Sequence, residues 1–185
     1  QITTVDKKRI QLTVLSQTRK ATTEAPLKLI FAPIKNPEAT WIVTKAVELG
    51  VTEIQPILTM RSVVTKVNLE KLKVAAKEAT EQCERLNAPN IHDTVSFEQA
   101  LGSHDGEFIF LDETGSGASP KTAFNHKLRD PAIVIGPEGG FDPKELDFAK
   151  TKSSCILLSL GNRILRSETA IIAGLSLFQG YLGDW

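Results

Sequence analysis

A chain of 185 residues suits one ordinary domain with a proper core, and leaves room for a small appendage. Its 22 basic and 22 acidic side chains cancel. This excludes a generic charge-driven nucleic-acid binder and leaves any RNA or DNA contact to a local patch. Cys83 and Cys155 lie far apart without a CxxC partner, and His92, His104 and His126 fall at no metal-ligand spacing with them, so reduced, buried thiols in a cytosolic protein and no metal are expected.

Residues Gln1 to Leu15 alternate as strands do, with Ile10, Leu12 and Val14 on one face. This opening lacks the continuous apolar core of a signal peptide, and it reads as a chain entered midway, after an N-terminal part. The polar stretch SQTRKATTEAP, closing on Pro26, is a linker. From Leu27 the texture changes. LKLIFA reads as a buried strand, NPEATWIVTKAVELG as a helix with Pro37 early and Gly50 at its end, and VTEIQPIL as a second strand. NLEKLKVAAKEATEQCERL is a long amphipathic helix with Asn68 as N-cap and an apolar stripe of Leu69, Leu72, Ala76, Ala79, Cys83 and Leu86. Glu78, Gln82 and Arg85 share its other face, where Glu81 and Arg85 form an ordinary i,i+4 pair on a solvated surface. EFIFLD, AIVIG and CILLSL are further short apolar runs, each followed by a turn or a helix signal. None of these runs is long enough to span a membrane.

Strands that alternate with helices and are apolar on both faces predict an α/β fold, a mostly parallel sheet with helices on both faces. Ligands in such folds sit beyond the carboxyl ends of strands, and three strand ends attract attention. In AIVIGPEGGFDPKE, Asp142 is an N-cap, Pro143 takes the first helical position and Glu145 completes a capping box. The preceding glycines are not needed for capping; they fit either a sharp strand-to-helix turn or a backbone that a ligand approaches closely. EFIFLDETGSG closes on Leu111 before Asp112 and Glu113. LSLGNRILRSETA joins a strand to a helix through a segment with two large apolar residues, Ile164 and Leu165, between two arginines, Arg163 and Arg166. An apolar connecting segment must cover something, either the core or a bound molecule. No GxxxxGK[ST] and no GxGxxG occur, so neither a P-loop nor a Rossmann-type glycine turn is supported. Glycines, apolar side chains and carboxylates together suit a ligand with a flat apolar ring and a cationic or amino-acid end.

Four of these pieces in register, KAVELGVTEIQPILTMRS, EATEQCERLNAP, IGPEGGFDPKE and LGNRILRSETA, spanning Lys45 to Ala170, resemble the RsmE family of small-subunit ribosomal RNA uridine-N3 methyltransferases of the SPOUT superfamily. The resemblance implies S-adenosyl-L-methionine as methyl donor, a sheet whose C-terminal part is threaded as a trefoil knot, and a cytoplasmic homodimer with the cofactor beside its interface. It implies 16S rRNA in the small ribosomal subunit as partner, with no DNA and no membrane. It also implies a division into residues 1–24, the last strands of a small PUA-like β-domain with its linker, and residues 25–185, the methyltransferase domain. Carried onto this chain, the cofactor contacts are Leu111, Gly136, Gly139, Leu158, Leu160, Gly161, Ile164 and Leu165, with Leu160 to Leu165 wrapping the adenine.

Methylation of uridine N3 requires alignment with the methyl group and removal of the N3 proton. The resulting charge spreads onto the flanking carbonyl oxygens, where a fixed arginine stabilises it. Arg166 and Arg61 are the candidates, and Glu138 or Glu168 either faces the donor's cationic groups or accepts the proton. Two other readings remain open at this point: the same chemistry on another RNA base, or a non-catalytic knotted RNA-binding module for ribosome assembly.

Overall fold

The computed structural model describes residues 1–185 apart from Thr22, Asn36, Pro37, Glu113 and Thr114; the expected roles of Pro37 and Glu113 lie outside the described residues. The chain opens with a short antiparallel hairpin, β1 (Ile2–Val5) and β2 (Ile10–Leu12). Ile2, Val5, Ile10 and Leu12 are each more than 60% exposed, so the hairpin has strand pattern but no core beneath it. An isolated two-stranded hairpin of this kind is only marginally stable.

The rest is built on parallel strands. β3 (Lys28–Phe31) pairs with β4 (Glu53–Leu58) and β8 (Ala132–Ile135); β7 (Phe108–Asp112) pairs with β8 and with β9 (Cys155–Ser159). The short β5 (Asn90–Ile91) and β6 (Val95–Ser96) both extend β4, and the main path runs β5-β4-β3-β8-β7-β9. Period-two alternation sorts the side chains into two cores. Leu29, Phe31, Ile54, Ile109, Ile133 and Ile135 point to one face and meet α1 (Ala39–Glu48), α2 (Leu69–Gln82), the short α4 (Pro120–Ala123) and α6 (Ser167–Leu182). Ile30, Ala32, Ile57, Phe108, Phe110, Ala132 and Val134 point the other way, to α3 (Phe97–Gly102) and α5 (Pro143–Lys150). Each fully buried Leu, Ile or Phe contributes about 1.5–3 kcal/mol of transfer free energy, so a sheet apolar on both faces needs both helical layers. This is the expected α/β architecture.

Local signals place the helix ends. The Asn68 side chain accepts from Lys71 N at 3.1 Å and starts α2. Asp142, Pro143 and Glu145 form the expected capping box and start α5. Gly50, at φ +81°, ends the turn after α1 in a conformation that favours glycine. The sequence reading did not anticipate α3, although Ser96 and Gln99 carry its signal as a reciprocal capping box.

One feature of α2 differs from expectation. Its last helical residue is Gln82, and Glu84 takes a positive φ of 59°, so Arg85 lies beyond the helix and has no i,i+4 geometry with Glu81. Its guanidinium instead pairs with Glu24 and donates to the carbonyls of Val47 (2.7 Å) and Val51 (3.0 Å). Glu81 pairs with Lys77 at 3.9 Å. Arg85 is therefore a half-buried clasp that joins the linker, the end of α1 and the start of β4.

Candidate active site

β8, β7 and β9 are adjacent and parallel, so the segments beyond them, 136–142, 115–119 and 160–166, lie along one edge of the sheet. Between them lies an enclosed space of about 70 Å³, walled by Leu111 and Asp112, by Gly136, Pro137 and Phe141, and by Leu165 and Ser167. It is smaller than the roughly 300–1,000 Å³ of ordinary ligand pockets. It is the floor of a site whose outer wall is the 160–166 segment. α6 forms the back: a Cβ on Gly174 would lie 2.9 Å from Leu111, so the missing side chain lets the helix press against the end of β7.

The residues singled out in the sequence fall into three groups. Leu111, Gly136 and Leu165 line the enclosed space together. Gly139, Leu160, Gly161 and Ile164 lie in its flanking segments; Ile164 is 83% exposed, an apolar side chain that covers none of the chain's own core. Gly161 adopts φ +98°, which lets the segment turn away from β9. Leu158 is the exception. It is fully buried in the core, pairs with Leu111 across β7 and bridges Ala118 on its other side. Its side chain packs the sheet, which leaves only its backbone to face the segments around the enclosed space.

The glycines of the 136–140 turn differ in what they permit. A Cβ on Gly136 would sit 3.1 Å from the Phe141 ring, so that position is crowded by the protein itself. A Cβ on Gly139 would meet only Arg61, at 3.7 Å, an ordinary contact. Gly140 carries the positive φ, 67°, that the turn requires.

Charge is arranged on two levels. Below, Glu145 is almost fully buried; its two carboxylate oxygens accept from Met60 N at 2.8 Å and Asp142 N at 2.9 Å. It thereby ties the turn after β4 to the start of α5. That link brings Arg61 over the glycine turn, where Nη1 donates to Gly139 O at 3.1 Å and Nη2 lies 3.6 Å from Asp142. Glu138 accepts from Lys35 N at 2.9 Å and is otherwise exposed. Above, Arg166 is the residue before α6, exposed, with no side-chain cap bond and no ion pair among the described residues. Ser167 Oγ donates to Gly136 O at 3.4 Å and fastens the start of α6 to the glycine turn. Burial pushes the Cys155 thiol up, against a smaller opposing effect of Lys150, so this thiol stays protonated and unreactive near neutrality.

The sequence shows Glu145 as part of a capping box but not its second contact, and shows Asp112 and Ser167 without their roles. Asp112 Oδ2 accepts from Gly117 N at 2.7 Å and from Ser116 Oγ at 3.2 Å, which folds the segment after β7 back on itself. A D-x-x-x-S-G spacing is compatible with such a turn, but no local signal predicts the contact of Glu145 with Met60, 85 residues away. A larger cavity of about 470 Å³ lies at the opposite, amino edge of the sheet, lined in part by Glu24, Arg85 and Gln179. Those groups are partnered within the chain: Gln179 donates to Leu49 O and accepts from Asp184 N, and Arg85 is the clasp described above. The carboxyl edge, with Arg166 in no ion pair among the described residues and an uncovered apolar segment, is the candidate site.

The chain is similar to proteins already known. The family of RNA methyltransferase domains matches residues 22–179. The ribosomal RNA small subunit methyltransferase E of Rickettsia conorii is 31% identical over 178 residues, 95% of this chain and 73% of the relative. Among solved structures, a putative methyltransferase from Legionella pneumophila in complex with its cofactor S-adenosylmethionine is 31% identical, with a TM-score of 0.74 over 88% of this chain and 69% of that one. The ribosomal RNA small subunit methyltransferase E of Neisseria gonorrhoeae, bound to S-adenosylmethionine, is 27% identical, with a TM-score of 0.77 over 86% of this chain and 68% of that one. The match across both halves of the sheet, the Arg61 turn and the segments that wall the enclosed space makes this chain a member of the ribosomal RNA small subunit methyltransferase E family of RNA methyltransferases.

Proposed function

We propose that the chain methylates N3 of a uridine in 16S ribosomal RNA of the small subunit, with S-adenosylmethionine as donor. The observation that carries this reading is Arg166: a cation with no ion pair among the described residues, set between Leu165 and Ser167, which line a slot with apolar walls and a glycine floor. The residues present fit the donor. Leu111 and Leu165 offer apolar surface for a flat ring, the Gly139 backbone is open to close approach, and Glu138 and Glu168 offer negative charge for its ammonium and sulfonium. Leu160, Gly161 and Ile164 would form the outer wall.

When bound, the donor supplies an electrophilic methyl group on its sulfonium, so no metal is required. Arg166 then faces the uracil and stabilises the negative charge that develops on its carbonyl oxygens as N3 loses its proton. Arg61 holds the glycine turn through Gly139 O and Asp142, and still has exposed donors with which to assist. Glu138 or Glu168 takes up the N3 proton or faces the donor.

Two further features belong to this reading. α6 leaves β9 at one edge and runs back to pack on β7, β8 and α1, which supports a threaded C-terminal segment. Ile172, Ala173 and Leu177 on α6 are only half-buried within the chain, which supports a homodimer formed through this helix. No helix among the described residues is long and apolar enough to cross a membrane. The exposed β1–β2 hairpin and residues 13–24 would be the RNA-contacting unit with its linker, and 25–185 the methyltransferase domain.

Calorimetry with S-adenosylmethionine, followed by transfer of a labelled methyl group to small ribosomal subunits, tests the proposal. Micromolar binding without metal and label at a uridine N3 are expected. Gly139→Val should abolish binding while the fold persists, because a side chain there meets only Arg61 at an ordinary distance. Full affinity in folded Gly139→Val would remove the pocket assignment. Binding without transfer would leave the non-catalytic RNA-binding module as the reading.

A further inference from the structure

A neutral chain that acts on RNA needs its positive charge in one place, and the carboxyl edge has such a place beside the candidate site. A groove of about 280 Å³ runs between the segment after β3 and the start of α2. Its floor is apolar, with Ile34, Val67 and Leu72. Its rim carries the ammonium groups of Lys35, Lys66 and Lys71, none of which makes an ion pair or a hydrogen bond among the described residues. The acid on the same rim is Glu38, so the groove keeps a surplus of two positive charges within a chain whose total is zero. Other lysines of α2 are neutralised where they stand: Lys73 pairs with Glu70 at 2.9 Å and Lys77 with Glu81 at 3.9 Å.

The groove is tied to the glycine turn of the candidate site at two points. Lys35 N donates to Glu138 in the glycine turn. The segment that carries Lys66 begins at the Arg61 turn, which is itself bonded to Gly139 O. A polymer whose target base lies under Arg166 therefore meets these lysines next along its backbone.

We infer that this groove binds backbone phosphates of the substrate RNA adjacent to the methylated nucleotide, with Lys35, Lys66 and Lys71 as the phosphate contacts and the apolar floor under a sugar or base. Phosphate contacts of this kind set register and orientation and carry no sequence information, so the groove positions the strand and the slot beside it chooses the base. The inference rests on the proposed RNA methylation.

The test is anisotropy with a fluorescein-labelled single-stranded oligouridine over a series of salt concentrations, alongside calorimetry with S-adenosylmethionine. The variant Lys35→Gln/Lys66→Gln/Lys71→Gln is compared with Lys73→Gln/Lys77→Gln/Lys127→Gln, which removes equal charge from exposed positions elsewhere. Each lost phosphate contact flattens the slope of log K against log salt by about 0.7 for a single strand. The groove variant should thus lose about two units of slope, with cofactor affinity unchanged, and the control variant should lose little. An unchanged slope in the groove variant, or equal flattening in both, overturns the groove. Wild-type protein that binds no S-adenosylmethionine would instead overturn the methyltransferase reading, whatever the slopes.

Discussion

A cation beside the first turn of a helix opposes the helix dipole by about 0.3–1 kcal/mol, and Arg166 provides no side-chain cap to offset this. A residue held against its local preference, exposed and unpaired, is better explained by a ligand than by the fold. Arg61 is the opposite case, since its guanidinium already holds Gly139 O and Asp142. The two arginines should therefore separate kinetically. Arg166→Ala should lower the methyl-transfer rate on the order of a hundredfold or more, as for removal of one charge-stabilising donor, with cofactor affinity nearly unchanged. Single-turnover transfer and calorimetry read the two quantities separately. Unchanged turnover would move the role to Arg61 or Arg163. Arg166 and Ile164 were conspicuous in the sequence because both break the rule that a connecting segment is polar and locally satisfied. The Leu158 side chain shows the converse. Periodicity marks an apolar strand residue but does not say which strand flanks it, and with β7 on one side and Ala118 on the other it became core.

Strands and helices were legible at the level of elements because each carries its own signal: apolar runs for β3, β7, β8 and β9, and side-chain caps for α2 and α5. Their order across the sheet was not legible, since parallel pairing joins residues far apart in sequence. Arg85 shows the cost of this. On a helical wheel it belongs to the solvated face of α2, but the positive φ of Glu84 ends the helical register and sends the guanidinium to Glu24, Val47 and Val51. Its side chain is 12% exposed and that of Glu24 is 29% exposed, so removing the arginine strips a half-buried carboxylate of its partner and the Val51 carbonyl of its donor, while the Val47 carbonyl keeps Gly50 N. Breaking a buried pair costs about 3–5 kcal/mol, and partial exposure brings the expectation for Arg85→Ala to about 2–4 kcal/mol in urea unfolding. Arg85→Lys should recover only part of it, because an ammonium lacks the planar fork that reaches a carboxylate and carbonyls together. A loss below about 1 kcal/mol for Arg85→Ala would mean that the clasp is a surface contact. The start of α5 is fixed by similar means: Glu145 holds Met60 and Asp142, so the arginine turn and the glycine turn move as one body.

At the scale of the whole molecule, the enclosed floor of the site, about 70 Å³, is too small for a nucleoside-sized donor, and its outer wall carries Ile164 at 83% exposure. Something must cover that wall. The proposed donor would cover part of it, and in the proposed homodimer a second copy of the chain would cover the rest. α6 buries Ala170, Ile171, Gly174, Leu175 and Phe178 against its own sheet, yet Ile172, Ala173 and Leu177, a quarter to half a turn further round, are also apolar and only half-buried. Trp41 on the neighbouring α1 and Tyr181 near the end of α6 are 37% and 49% exposed. A helix with more apolar surface than one layer can cover needs a second layer, and α6 begins at Arg166, so a partner seated on it reaches the site. The protein should run in solution as a dimer, twice its 20.2 kDa chain mass, by light scattering at micromolar concentration. Ala173→Glu places a charge in that second face without emptying the core, and should give a folded monomer with weakened cofactor affinity. A wild-type monomer would remove the interface. A monomeric Ala173→Glu protein that bound the cofactor normally would keep α6 as the wild-type interface but make each site complete within one chain, with Ile164 covered by the donor alone.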